Sequence, residues 1–239
     1  PWRIGRLVCR RPPNPGYSVR IWIKNIKIRI VDKNLHSLAG DLRYENGHFN
    51  VPGSAGQPRT QPGGPGMSNF LRTPSAAEFR ERVRSGPVVG PFSKTSDPAV
   101  VETIGHAGMD FIILDLEHGP NDVVNLGGLI RAAEVSGMAP IVRVGSHDQI
   151  GRVLDLGAVG VQVPHVCTAE QAQDVVERAK FAPAGHRGVC RYVRAARYSV
   201  MDKQRYFREA NDAVVIAQVE GTEGLANVDE ILATAGIDV

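Results

Sequence analysis

Between Gly86 and the C-terminus, short apolar runs rich in branched residues alternate with segments of helical period, separated by Gly or Pro. No other feature limits the fold as much, because repeated βα units demand a parallel sheet with its helices outside. Strands are predicted at 86–92, 111–117, 140–144, 159–164 and 214–220, and helices at 97–107, 122–136, 148–156, 168–180, 201–210 and 222–234. Asp97 before Pro98, and Thr168 three residues before Gln171, read as N-caps, the second with the spacing of a capping box. The strands are continuously apolar, so burial on both faces is predicted.

A doubly wound sheet and a (β/α)8 TIM barrel both satisfy this pattern. The barrel is preferred because polar residues stand at the carboxyl ends of successive strands, where barrel sites are built, and because no Gly-rich dinucleotide fingerprint follows the first strand. Five βα units fit before Ile237-Asp238-Val239, which reads as the opening of a sixth strand, so the barrel is expected to be incomplete over this sequence.

Charge divides the 239 residues in two. Residues 1–66 hold 11 Lys and Arg against 3 Asp and Glu, whereas residues 67–239 hold 17 against 22. The stretch from Gly53 to Gly66 is dense in Gly, Pro and Gln and reads as a linker. Upstream, Ile21, Ile23, Ile26, Ile28 and Ile30 with Lys24, Lys27 and Arg29 between them suit a β-hairpin arm. Residues 1–66 are expected to be disordered or a non-native leader, with Met67 as initiator and 67–239 as the barrel domain. Cys9, Cys167 and Cys190 are too scattered for a disulfide framework or a zinc site, and are expected to be buried thiols in a reducing cytosol. With no apolar run near the roughly 18 residues of a membrane span and no secretory pattern at the start, a cytoplasmic location is expected.

Chemistry gathers at the predicted strand ends. Phe111-Ile112-Ile113-Leu114 runs into Asp115, Glu117 and His118, where a loop imidazole is poised for proton transfer. Arg143 ends Pro140-Ile141-Val142, and its planar fork suits a carboxylate, either of a substrate or of Asp115 or Glu117 in a structural ion pair. Gln218 and Glu220 end the fifth strand, Glu220 as a possible ligand for a hard cation. Arg187, between Gly185 and Gly188 and upstream of Arg191, Arg194 and Arg197, could receive a substrate carboxylate or belong to a solvated basic loop. Asp155 closes a helix, where a carboxylate opposes the macrodipole and calls for a partner such as a catalytic histidine.

Taken together, the segments 114–120, 140–143, 153–158, 163–164, 183–188 and 218–220 resemble the HpcH/HpaI aldolase family from about Ser75 onward. The resemblance implies a barrel of the phosphoenolpyruvate/pyruvate type, assembled as a homo-hexamer, that cleaves a 4-hydroxy-2-oxo acid to pyruvate and an aldehyde with Mg²⁺, Mn²⁺ or Co²⁺. It implies Glu220 as a metal ligand, Arg143 and Gln218 as the pyruvate-binding pair, His118 as the acid/base residue with Asp155 as its partner, and Asp115 as supporting polar structure; beside these, Arg187 is expected at the substrate and Glu117 as a supporting group. The family's second ligand, an aspartate in a Gly-Pro-x-Asp motif, is expected beyond Val239, Asp238 being too early in its strand, and the sequence alone is expected to be inactive. Two alternatives stand beside this reading: an acyl-CoA carbon–carbon lyase of the citrate or malyl-CoA type, and a non-catalytic remnant whose basic arm binds nucleic acid.

Overall fold

The computed structural model describes residues 73–239 throughout and, ahead of them, the backbone of four short strands. β1 (Ser18–Ile23) and β2 (Ile26–Val31) pair antiparallel with Ile21 opposite Ile28, as the isoleucine alternation predicts. β3 (Arg43–Glu45) and β4 (His48–Asn50) form a separate pair. The predicted linker, the boundary at Met67 and Cys9 lie outside the described residues.

β5 (Val89–Ser93), β6 (Phe111–Asp115), β7 (Ala139–Arg143), β8 (Gly160–Val163) and β9 (Val214–Ala217) lie side by side in chain order, every neighbouring pair parallel. β2 runs antiparallel along the other edge of β5. The order from β5 to β9 has no reversal point, which a doubly wound sheet requires and a barrel does not. No strand forms at the predicted opening of a sixth, residues 237–239, but their backbone bonds to the edge of β9. The Val239 amide donates to the Val215 carbonyl at 3.3 Å, and the Val239 carbonyl accepts from the Ala217 amide at 2.9 Å, one step of a parallel ladder beside β9.

The helices fall close to their predicted positions: α2 (Pro98–His106), α3 (Val123–Val135), α4 (Gln149–Asp155), α5 (Ala169–Ala179) and α6 (Lys203–Asn211). Asp97 caps α2 by accepting the Ala99 amide at 2.9 Å, and Thr168 caps α5 by accepting the Gln171 amide at 3.2 Å. The capping box is only half made, because Gln171 Oε1 accepts from the Cys167 amide at 2.7 Å instead of turning back to Thr168. The single helix predicted at 222–234 is two, α7 (Gly221–Ala226) and α8 (Val228–Ala233), broken at Asn227, whose side-chain amide donates to the Cys167 carbonyl at 2.9 Å. Not predicted is α1 (Ala76–Ser85), which precedes β5.

Alternation along each strand separates two cores. Ile112, Leu114, Val142, Val161, Val163, Val215 and Ala217 pack with residues of α2–α5 and α8. Phe111, Ile113, Ala139, Ile141, Val214 and Ile216 form the other cluster with Phe79 and Val83 of α1. α1 covers the amino-terminal end of that inner face, where Phe79 meets Phe111 edge-on at 5.7 Å and Arg80 grips Asp238. Between that end and a last layer at the carboxyl ends of the strands, the inner face is apolar. Among the described residues no helix is long and apolar enough to cross a membrane. Cys167 is half-buried and Cys190 exposed, which corrects the expectation of buried thiols.

Candidate active site

The period of two that lines Phe111 and Ile113 on the inner face also brings Asp115 to its top, and likewise Ala139 and Ile141 lead to Arg143. Register aligns these ends: Asp115 is the ladder partner of Arg143, and Arg143 of Gln162. Gln218, just past β9, completes a polar layer across adjacent strands.

Asp115 is 0 % exposed and holds Arg143 by both edges of its fork, with Nε donating to Oδ1 at 2.9 Å and Nη2 to Oδ2 at 2.6 Å. The amides of Glu117 and His118 also donate to Asp115 Oδ1, at 3.0 and 3.3 Å. Burial opposes the Asp115 charge, yet the Arg143 bonds and these two amides outweigh it and leave the carboxyl below its usual range. Burial likewise opposes the Arg143 charge, and Asp115, Glu117 and Glu220 more than restore it. The guanidinium stacks over the Phe92 ring at 5.0 Å. Its Nη1 lies 2.9 Å from Glu117 Oε2, an ionic contact without hydrogen-bond geometry, so this edge is the one not committed to Asp115.

Around this pair lie groups with freedom to act. His118 stands in the loop after β6 with its side chain 63 % exposed and Nε2 3.5 Å from Glu117 Oε1. His165, two residues past the end of β8, puts Nε2 3.3 Å from the same Glu117 oxygen and Nδ1 2.9 Å from Glu220 Oε2. Gln162 donates through Nε2 to Gln218 Oε1, and Gln218 donates through Nε2 to Glu220 Oε1. Glu220 fixes the sense of this relay, since flipping either amide would turn an oxygen toward the carboxylate or toward another carbonyl. Gln162 and His165 escaped the sequence reading. The signal was available, because the rule that singled out His118 and Glu220, a polar residue where an apolar strand ends, applies to both.

Two predicted members stand elsewhere. Asp155 does not meet His118; it is bound by Arg187, whose Nη2 donates to Asp155 Oδ1. The reason is positional: Asp155 is the last residue of α4, and a βα unit carries its helix C-terminus back to the amino end of the next strand, opposite His118. Arg187 is equally unavailable to a substrate at the strand ends. Its amide donates to the Lys180 carbonyl at 2.9 Å beyond the end of α5, and its guanidinium lies over the Phe181 ring at 4.7 Å with the side chain 4 % exposed. The carboxylate that His118 faces is Glu117.

The HpcH/HpaI aldolase/citrate lyase family matches residues 89–239, the whole run from β5 to the last residue. The chain belongs to this family. A 2-dehydro-3,6-dideoxy-6-sulfogluconate aldolase of Pseudomonas putida is 37 % identical over 158 residues, 65 % of this chain and 61 % of the relative. A 5-keto-4-deoxy-D-glucarate aldolase of Escherichia coli is 36 % identical over 153 residues, 63 % of this chain and 59 % of the relative. The crystal structure of a member from Burkholderia cenocepacia superposes with a TM-score of 0.62 at 32 % identity, covering 66 % of this chain and 65 % of that one. The chain spans about three fifths of the length of the curated relatives it matches.

Family membership raises the question of a divalent cation, and the described residues do not fit one as arranged. Both oxygens of Glu220 are engaged, Oε1 by Gln218 and Oε2 by His165. Among the described residues no group of three or more His, Cys, Asp or Glu is disposed to hold a metal ion.

Proposed function

We propose that the protein carrying this chain is a carbon–carbon lyase that cleaves a 4-hydroxy-2-oxo acid to pyruvate and an aldehyde, and runs the reverse condensation. The observation that carries the reading is the Arg143 fork, clamped by Asp115 at the strand ends beside Gln218 and Glu220. In the cleavage a base takes the proton of the C4 hydroxyl, and the C3–C4 bond breaks as the C4 carbonyl forms. The bonding pair shifts between C3 and C2, leaving an enolate oxygen on C2, and a proton delivered to C3 gives pyruvate.

Such a reaction rewards a cation fixed in advance where the oxyanion develops. Arg143 is charged throughout the working pH range and is oriented by Asp115, so little reorganisation attends its use. Its Nη1, which makes no bond to Asp115 and faces Glu117 Oε2 at 2.9 Å, is the nitrogen that would exchange that contact for the enolate or the substrate carboxylate. His118, exposed at the mouth and 3.5 Å from Glu117, is the proton carrier, with Glu117 orienting the ring. Gln218 and Gln162 furnish amides toward the 2-oxo acid. None of these residue roles is routed through a divalent cation, which the described residues do not fit as arranged.

Both aldolase relatives are named for sugar-acid substrates, so the class proposed is a 2-oxo acid derived from a sugar acid. A homo-hexamer and a cytoplasmic location are proposed with it. The test is pyruvate release from a 4-hydroxy-2-oxo acid by the protein carrying this chain, compared with its Arg143→Lys variant. Loss of the bidentate fork should lower kcat/KM by about a hundredfold or more. No pyruvate from any such acid would reject the reading, and cleavage of an acyl-CoA in its place would establish the acyl-CoA lyase alternative.

A further inference from the structure

Val161 and Val163 of β8 pack with the helices, so the period of two turns Gln162 to the inner face, where it is the ladder partner of Arg143 and 0 % exposed. A side-chain amide enclosed this completely normally has both its nitrogen and its oxygen paired. Here only the nitrogen is. Nε2 donates to Gln218 Oε1, while Gln162 Oε1 is buried without a hydrogen-bond partner among the described residues. Turning the amide round is no remedy, because its oxygen would then meet the Gln218 oxygen, whose own sense is set by Glu220. The donors nearby are committed elsewhere. Arg143 grips Asp115 and faces Glu117, and His165, with φ of 57° in the left-handed region, turns its two ring nitrogens to Glu117 and Glu220. Glu117 Oε2, also without a hydrogen bond, has the Arg143 charge against it at 2.9 Å. For Gln162 Oε1 the described residues supply no donor.

We infer that Gln162 is a specificity-determining residue whose Oε1 accepts a hydrogen bond from a hydroxyl of the bound 2-oxo acid. The inference deepens the proposed function and rests on it for placing the 2-oxo acid in this layer, beside Arg143. Chemistry narrows the donor. The ionised carboxylate and the ketone of such an acid only accept, so neither satisfies a carbonyl oxygen, and both are drawn to the guanidinium instead. A hydroxyl on the carbon chain does donate. An acid that carries one pairs the Gln162 oxygen, whereas its deoxy counterpart fills the same space and leaves the oxygen unpaired. Sites that meet a substrate hydroxyl with a buried polar group reject the analogue lacking it for this reason. Gln162 therefore reads the presence of a hydroxyl, not the length of the chain.

The test is binding to the protein carrying this chain, by ligand-observed NMR, of two ligand pairs that differ by one hydroxyl. These are 3-hydroxypyruvate against pyruvate, and 4-hydroxy-2-oxobutanoate against 2-oxobutanoate, the cleavable acid being read before cleavage proceeds. The unaltered protein should bind the hydroxylated member of at least one pair about tenfold more tightly, the factor that one hydrogen bond to a buried acceptor corresponds to. Gln162→Leu, similar in bulk and without the oxygen, should bring that ratio to about one, and Gln162→Met serves in its place if circular dichroism shows the leucine variant unfolded. Gln162→Glu keeps an acceptor oxygen and loses the donor to Gln218, so it should retain the preference. Taking the ratio within each variant cancels any change in affinity for anions as such. No preference in the unaltered protein for either pair, or a preference that survives Gln162→Leu, would overturn the inference. Loss of the preference in folded Gln162→Glu would overturn it too, by placing the effect in the Gln218 contact. A protein that releases no pyruvate yet shows a hydroxyl preference dependent on Gln162 would reject the proposed function and keep the role of Gln162; pyruvate release without that preference would do the reverse.

Discussion

Asp115 can remain ionised inside the protein only because Arg143 meets both of its oxygens and two backbone amides point at one of them. Removing the charge leaves the buried guanidinium with Glu117 as its nearest carboxylate and its fork unpaired, so Asp115→Asn should destabilise the fold by about 3 kcal/mol, read as a lowered urea midpoint. The sign of the pH dependence follows from the depressed carboxyl. The stability Asp115 contributes is complete above the ordinary aspartate range near pH 4 and is lost as the pH falls through the lower, folded-state value. Unfolding titrations between neutrality and pH 3 should therefore show the gap between the native chain and Asp115→Asn closing toward acid. Asp155 carries a different expectation. Its partner is the enclosed Arg187, remote from the strand ends, so Asp155→Asn should cost about 2 kcal/mol of stability. The same variant should leave pyruvate binding, followed by ligand-observed NMR, unchanged. Weakened pyruvate binding in a folded Asp155→Asn protein would restore the role first expected from the sequence.

Elements were more legible than contacts. Each strand and each predicted helix has an observed counterpart because burial on two faces and the helical period leave their mark residue by residue. The predicted strands at 111–117 and 214–220 overran, since Leu116 and Val219 continue the apolar pattern after regular strand geometry has ended at Asp115 and Ala217. α1 was missed although its signal was present: Ser75 accepts the Glu78 amide at 3.2 Å, and Glu78 Oε2 accepts the Ser75 amide at 2.8 Å, a full capping box. This helix brings Phe79 and Val83 into the inner core, so its cap matters beyond the helix itself. Ser75→Ala should lower stability by about 1 kcal/mol, a drop of roughly 3 °C in Tm by differential scanning calorimetry. No change would mean that packing alone holds α1 in place.

Across the whole molecule, polar chemistry is divided between the two ends of the sheet. The carboxyl ends carry the candidate site, and the amino ends carry a half-buried pair in which Arg80 holds Asp238 and a buried Lys180 that donates to the carbonyls of Asn211 and Ala213. Burial is the main reason the Lys180 ammonium falls from 10.5 to about 8; Asp238 and Asp212 oppose the fall, and Arg80 and Arg187 assist it. A lysine with a lowered folded-state pKa costs most while it is charged in both states. Stability should therefore rise as the pH climbs from about 8 toward 10.5, where the unfolded chain holds the proton more tightly than the folded one, by up to about 3 kcal/mol in total. Urea midpoints between pH 7 and 10 check this, and Lys180→Met should abolish the rise while lowering stability at pH 7 by leaving two carbonyls unpaired. What the sequence determined by itself was the parallel βα order and the chemistry at the ends of β6, β7 and β9, because hydrophobic period and strand termination are local properties of the chain. Only the tertiary structure decided that Asp155 belongs to Arg187 and that His165 spans Glu117 and Glu220. Those pairings depend on which end of the sheet each residue reaches and on the φ of a single residue, neither of which is written in any local run of side chains.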